Sequence, residues 1–313
     1  MYNPRYLIDL IATNIRKTGN PFGVPAASLN TWWKALPGQA RQEGQTLLFT
    51  GLMYQSIPYI DKTTRYLERF EGTRWASLLK FGRYTRYLPG FLGSLAFFCL
   101  TSRAERRKYN HILHSIYGIL AKAQVDFFYR PELDNYSGIL LYDLGDHQGF
   151  VQHARAVVRT LELCGVKKLI TVDPHTTYAL KVLYPKYVGA SFEVKTYFEL
   201  IDFKAANGHS PVAVHDPCFY GRYLNLSEVP LKVLDNLGIG WVEVRRSNNF
   251  THCCGGPAES VSPALNREIL GRRVEELKAT GAPVVTMCPI CLANLTKAGV
   301  EVEDLASLVG RYI

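Results

Sequence analysis

Five of the chain's seven cysteines lie in its last third. Cys218 is separated by 34 residues from the adjacent pair Cys253 and Cys254, and 33 more residues lead to Cys288 and Cys291, which form a C-P-I-C clasp. Thiolates at such spacing, in a chain with few other cysteines, point to a soft metal centre. The number constrains the centre further. A zinc site or a cubane cluster takes four thiolates, and this array offers five. Successive side chains of an extended segment point to opposite faces, so Cys253 and Cys254 would not chelate one small ion together. They suit different irons, or different edges, of a larger iron–sulfur cluster.

At 313 residues the chain can form one large or two medium domains, and 47% hydrophobic and 20% charged residues are usual for a soluble protein. Residues 1–10 lack the basic start, apolar run and cleavage site of a secretory signal, so the expected compartment is a reducing cytoplasm with free thiols. Cys99 and Cys164 lie outside the array in apolar settings and are expected to be buried packing residues.

The net charge of +9 is uneven: residues 1–130 carry 18 Lys and Arg against 7 Asp and Glu, and residues 131–313 carry 18 against 20. A basic half raises nucleic acid, anionic lipid or an acidic protein as partner. No recognition helix or zinc finger is legible, so nucleic acid is not expected. A solvated charged face is the plain reading and a protein-docking face the next. The apolar run 88–100 is 13 residues long and is flanked by Arg83, Arg86, Arg103, Arg106 and Arg107. A bilayer span needs roughly 20 residues. The run therefore suits a peripheral membrane contact, a subunit interface or a buried helix.

The C-terminal half alternates strands and helices. Strands are expected at 211–215, 241–244 and 284–287, with helices at 231–237 and 263–280. That alternation predicts an α/β fold with parallel strands and crossover helices, and it puts every cysteine of the array at the carboxyl end of a strand or in the loop that follows one. The same order occurs upstream, with strands at 46–50 and 168–172 and a helix at 150–163. Gly138 and Gly165 stand 27 positions apart, and Gly255 and Gly281 stand 26 apart. Asp173-Pro174-His175-Thr176 falls where the other copy has Cys288-Pro289-Ile290-Cys291. The expected division is an N-terminal connector at 1–40, a first half at 41–205 with a basic helical insertion at about 64–124, and a second half at 206–313.

The upstream copy has Leu52, Tyr136, Ser137, Asp173 and Thr176 at the five cysteine positions, so it cannot hold a soft-metal cluster. Asp173 and His175 offer only two ligands for a harder ion. This half is expected to complete the fold and form one wall of a cleft.

The array C-x34-C-C-G-x32-C-x-x-C resembles the CCG domain, the cysteine-rich repeat of the B-type subunit of heterodisulfide reductase, also found in iron–sulfur subunits of glycolate and lactate oxidases. The segment Gly19-Asn20-Pro21-Phe22-Gly23-Val24-Pro25, with Asn14-Ile15 and Trp32-Trp33, looks like the connector that follows a ferredoxin module in fused members. The resemblance implies that Cys218, Cys253, Cys254, Cys288 and Cys291 ligate a [4Fe–4S] cluster of noncubane type, with zinc as the alternative. It further implies a ferredoxin-like C-type partner, together with a flavin-binding A-type or second B-type subunit, and a thiol carrier such as a lipoate protein. Relatives with two arrays split a disulfide between two clusters; a single array departs from that pattern.

His215 and His252 flank candidate ligands, where each could hydrogen-bond a sulfur or move a proton, or be a plain structural histidine. Arg222 follows Cys218 by one turn and would meet an anionic substrate group or simply be a surface arginine. Tyr220 and Asn294 are further candidates beside the cluster. No G-x-G-x-x-G, P-loop or G-x-S-x-G motif occurs, so any flavin is expected on a partner. The function these features predict is that of a redox subunit exchanging electrons between a ferredoxin-like partner and a thiol or disulfide. The other readings are a structural or docking subunit with zinc or an inert cluster, and an electron relay of a hydroxy-acid oxidase complex.

Overall fold

Both halves of the repeat fold around a parallel sheet, and the second half is the fuller copy. The computed structural model describes residues 4–36, 41–70, 101–204, 209–260 and 262–313. The apolar run at 88–100, with Cys99, Arg83 and Arg86, lies outside them. The connector forms α1 (Pro4–Thr18), and the first half contains β1 (Thr46–Phe49), α2 (Met53–Phe70), α3 (Arg103–Lys122), α4 (His147–Leu163), β2 (Lys168–Thr171), α5 (Pro174–Tyr178) and β3 (Glu193–Thr196). Its strands pair in parallel in the order β1-β2-β3. The second half contains β4 (His209–His215), α6 (Glu228–Asn236), β5 (Ile239–Val242), α7 (Pro263–Lys278), β6 (Val284–Thr286), α8 (Pro289–Lys297), β7 (Val302–Asp304) and α9 (Leu305–Val309). Here the parallel order is β5-β4-β6-β7.

The two sheets match strand for strand except at one edge. Where the second half has β5, the first has an isolated parallel bridge from Phe128 to Leu47. The Phe128 N–H donates to the Thr46 carbonyl and the Leu48 N–H to the Phe128 carbonyl, both at 2.9 Å. A single residue thus satisfies the edge of β1 that a whole strand covers in the other copy.

Side-chain alternation along the strands divides the core into layers. Leu47, Phe49 and Leu169 pack outward against α1 and α4, while Leu48 and Ile170 face inward. In the second sheet Ala213 and Val284 face α7, and Val212, Val214 and Val285 face inward. The inward residues of both sheets join one cluster that also holds Ile112, Leu113, Ile116, Ile119 and Leu120 of α3. Their spacing of three or four residues is the apolar stripe of an amphipathic helix. A capping box closes the start of α3: Ser102 accepts from the Glu105 N–H, and the Glu105 carboxylate accepts from the Ser102 N–H.

Three details differ from the sequence reading. Helix α6 begins at Glu228 and β5 at Ile239, earlier than the expected 231 and 241; the strand starts early because Gly238 (φ 65°) ends the helix in a tight turn that leads straight into it. Helix α2 runs from Met53 on to Phe70, so the expected start of the insertion at about 64 falls inside a helix. Cys164 is exposed, not buried. The buried stripe of α4 ends at Leu161, and the chain turns at Gly165 (φ 71°), leaving Leu163 and Cys164 on the surface.

Candidate metal centre

Strands β4 and β6 are neighbours in the sheet, and their carboxyl ends deliver Cys218, Cys288 and Cys291. After β4, Asp216 and Pro217 lead to Cys218, which starts the helical turn Phe219–Tyr223. After β6, Met287 leads to Cys288 at the N-terminal cap of α8, with Pro289 in the first turn and Cys291 one turn in. Proline suits the first turn because its missing N–H is one the helix would leave unbonded. Cys253 and Cys254 come from the loop between two short helical turns, Asn248–Phe250 and Gly256–Ser260.

The structure brings all five together. The Cys291 and Cys254 sulfurs are 3.1 Å apart, and none of the five is in a disulfide. Cys254, Cys288 and Cys291 are buried, while Cys218 and Cys253 are half-buried. Gly255 (φ 83°) turns its N–H onto the Cys253 sulfur at 3.3 Å. A Cβ at Gly255 would lie 2.2 Å from Asn266 Oδ1, and one at Gly256 would lie 2.2 Å from Ile290 Cγ2, so both glycines are required by close packing.

The thiols perturb one another strongly. Contact with Cys218 and Cys254 pulls the Cys253 thiol far down, helped by the Gly255 N–H and the Arg222 charge. Contact with Cys253 pushes Cys218 and Cys254 up, and burial does the same to Cys291. Burial also raises Cys288, but contacts with Cys291 and His175 outweigh it and bring the thiol to about 6. Sulfurs crowded this closely oppose each other's ionisation, and cations placed among them would remove that opposition. The donor set therefore fits a soft metal centre with more than one positive ion.

His215 is fully buried behind the array. Its Nδ1 accepts a 2.9 Å hydrogen bond from Arg273 Nε. Burial and then the Arg273 charge hold the imidazole well below its ordinary range, so it is neutral. With Nδ1 accepting, the proton sits on Nε2, which has no hydrogen-bond partner among the described residues. One ring nitrogen lies within 4.8 Å of the Cys254 and Cys291 sulfurs, and Nε2 is the nitrogen left to face them. His215 is thus placed as an N–H donor to sulfur. Arg273, also fully buried, bonds the Arg246 carbonyl at 2.8 Å and Glu276 at 3.1 Å, fixing the imidazole in turn.

The other candidates spread out. His252 lies 3.9 Å from Glu276 and is partly exposed, set beside Cys253 rather than over the array. Arg222 is exposed and acts on Cys253 only through its charge. Asn294 donates to the Cys254 carbonyl at 3.2 Å. Tyr220 is buried and packs edge-on against Phe198.

Two residues of the site escape a reading of the sequence. Arg273 lies in a charged helical stretch and gives no local sign of being buried. His175 belongs to the half without cysteines, yet it faces Cys288 closely enough for the two to shift each other's proton affinity. Its ring stacks against Phe219, beside Cys218, at 4.7 Å between centroids. Asp173 positions it: Oδ1 accepts from the His175 and Thr176 N–H groups at 2.9 and 3.0 Å, capping α5. At the matching position in the other half, Cys288 makes no side-chain cap bond. The turns agree elsewhere too, since Gly138 (φ 78°) matches Gly255 (φ 83°). They part at Leu52 (φ 58°), whose turn Asp134 holds by accepting from the Thr50 and Gly51 N–H groups, whereas Cys218 is right-handed.

Residues 212–296 match the family model described as the cysteine-rich CCG domain, and the chain carries that domain. It is 34% identical over 221 residues to a probable membrane-anchored ferredoxin of Chromohalobacter salexigens, which takes in 63% of this chain and 33% of that protein. Against a probable iron-sulfur-binding oxidoreductase, FadF, of Bacillus subtilis it is 26% identical over 307 residues, 93% of the chain and 38% of the relative. Against one subunit of the dihydromethanophenazine:CoB–CoM heterodisulfide reductase of Methanosarcina barkeri it is 31% identical over 180 residues, 51% of the chain and 44% of the relative. The chain thus spans between a third and under half the length of these curated relatives.

Proposed function

We propose that this chain is an iron–sulfur redox subunit of a heterodisulfide-reductase-like complex, passing electrons between a ferredoxin-like partner and a thiol or disulfide substrate. The observation that carries the reading is the convergence of Cys218, Cys288 and Cys291, at the ends of two adjacent strands, with Cys253 and Cys254 of the loop 251–255. These five would hold a [4Fe–4S] cluster, for which the noncubane form suits five thiolates. When bound, the cluster supplies one-electron chemistry and a site for substrate sulfur. The chain's own residues prepare its surroundings: His215 and the Gly255 N–H direct donors at sulfur, Arg273 holds His215 in one tautomer, and His175 faces Cys288 from the opposite half.

The relatives support an oxidoreductase role, since two of the three are called an iron-sulfur oxidoreductase and a heterodisulfide reductase subunit. In this reading the chain works with C-type, A-type or further B-type subunits and a thiol carrier. Cytoplasmic or peripheral membrane placement goes with this reading; no helix among the described residues is long and apolar enough to cross a membrane.

A structural zinc site is the second reading, favoured by the grouping of His215, Cys254 and Cys291. The Arg273 hydrogen bond weighs against it, because it leaves His215 a protonated nitrogen where a ligand needs a lone pair. Metal content and EPR of anaerobically purified protein separate the two. About four irons per chain, with a spectrum unlike a cubane's that is lost in Cys253→Ser, is the expected result. One zinc and no iron would refute the redox reading.

A further inference from the structure

A cavity of about 200 Å³ opens beside the array. Leu7, Leu10 and Ile11 of α1, Met53 and Ile60 of α2, and Ile139 form much of its apolar wall. His175, Gly256 and Ile290 close the end toward the cysteines. Ile290 lies between Cys288 and Cys291 in the chain and packs on the buried sulfurs, and His175 faces Cys288. The cavity thus lies between the two halves, where one wall of the array is also its own wall.

Its charges are one-sided. Asp143 and Glu259 line it, and among the described lining residues there is no lysine or arginine. The one basic group, His175, stands 3.7 Å from the Asp173 carboxylate, inside the wall rather than opposite it. A carboxylate, sulfonate or phosphate entering here would lose its water without gaining a cation of its own. A hydrocarbon chain meets the Leu7, Leu10, Ile11, Met53, Ile60 and Ile139 side chains, which ask for no charge.

We propose that this cavity seats the carbon chain next to the reacting sulfur of the substrate, and that it selects an uncharged hydrocarbon thiol or disulfide over an anionic one. The proposal rests on the iron–sulfur reading for its reaction but not for its binding preference. The same lining disfavours small hydroxy acids as substrates at this place.

The test is calorimetric binding of two matched probes, 6-mercaptohexanol and 6-mercaptohexanoate, to the anaerobic, cluster-loaded full chain. Both present the same thiol to the cluster, so their ratio reports on the chain alone. The neutral probe is expected to bind at least about tenfold tighter, the cost of desolvating an unpaired carboxylate setting the scale. Ile60→Trp, which fills the cavity, is expected to abolish binding of both probes with iron content unchanged. Thr63→Lys, which places a cation on the same wall, is expected to raise mercaptohexanoate affinity and narrow or reverse the ratio.

A ratio near one, or an unchanged ratio in Thr63→Lys, overturns the proposal. If Ile60→Trp does not fold, the ratio in the unaltered chain and in Thr63→Lys decides. Absence of iron would instead remove the proposed function, and the probe ratio measured on that iron-free chain would still read the cavity.

Discussion

Asp173 and Cys288 occupy the same kind of turn, a strand end entering a helix through proline, and use it differently. The carboxylate spends one oxygen on two backbone N–H groups and so holds His175 in place. The thiol caps nothing and remains available for metal. Removing the imidazole should leave the five cysteines intact and change what the cluster feels. His175→Phe is expected to retain iron and lower the reduction potential by about 40 mV, the one-electron equivalent of a hydrogen bond of about 1 kcal/mol, read by an EPR-monitored redox titration. Arg273 is the other residue whose effect is indirect. Arg273→Met leaves Glu276 paired with Arg246 alone and the His215 Nδ1 without its donor, so unfolding in urea is expected to show a loss of about 1–3 kcal/mol.

The loop that carries Cys253 and Cys254 depends on backbone that only glycine tolerates. Gly255 has φ 83°, and any Cβ there would meet the Asn266 side chain at 2.2 Å. Left-handed backbone costs an ordinary residue about 1–2 kcal/mol before the clash is counted. Gly255→Ala is expected to lower the melting temperature and also to cost iron, because the same turn aims its N–H at Cys253. A matched Gly281→Ala is a useful contrast: it shares the positive φ (67°) but has open space around the position, so it should lose stability and keep its iron.

Across the molecule, three buried carboxyls link parts of the fold. Asp304 accepts from Tyr54 across the two halves at 2.6 Å, Glu259 joins Thr64 to Asn266, and Asp134 closes the turn after β1. Burial pushes Asp304 and Glu259 up to about 7 and Asp134 to about 6. Each folded value lies above the unfolded one, so the native state binds the proton more tightly. Their contribution is complete below about pH 4 and is lost as pH rises through 6 and 7. Chemical denaturation at pH 5 and pH 8 should therefore show lower stability at the higher pH from these groups, and Asp304→Asn should reduce that difference.

The repeat and the sulfur array are legible in the chain because cysteine, glycine and proline mark backbone turns directly: Gly138 and Gly255, Pro174 and Pro289 fall in matching places. What stays hidden depends on distant partners. Phe128 carries no strand pattern of its own and becomes an edge only because β1 passes beside it. Arg273 carries no sign in its own stretch of the chain, and His175 reads only as half of an incomplete ligand pair, until the sheets place His215 and Cys288 next to them. The early start of β5 is hidden for a different reason: Gly238 acts within a single turn, which is too short for a periodicity argument to register.

The unequal burial of the sulfurs gives any cluster held here a weather side. Cys254, Cys288 and Cys291 sit in the interior, whereas Cys218 and Cys253 are in part open to solvent. Dioxygen and chelators would arrive at that outer edge first, so decay would proceed as an erosion from one side, with the inner sulfurs keeping their iron longest.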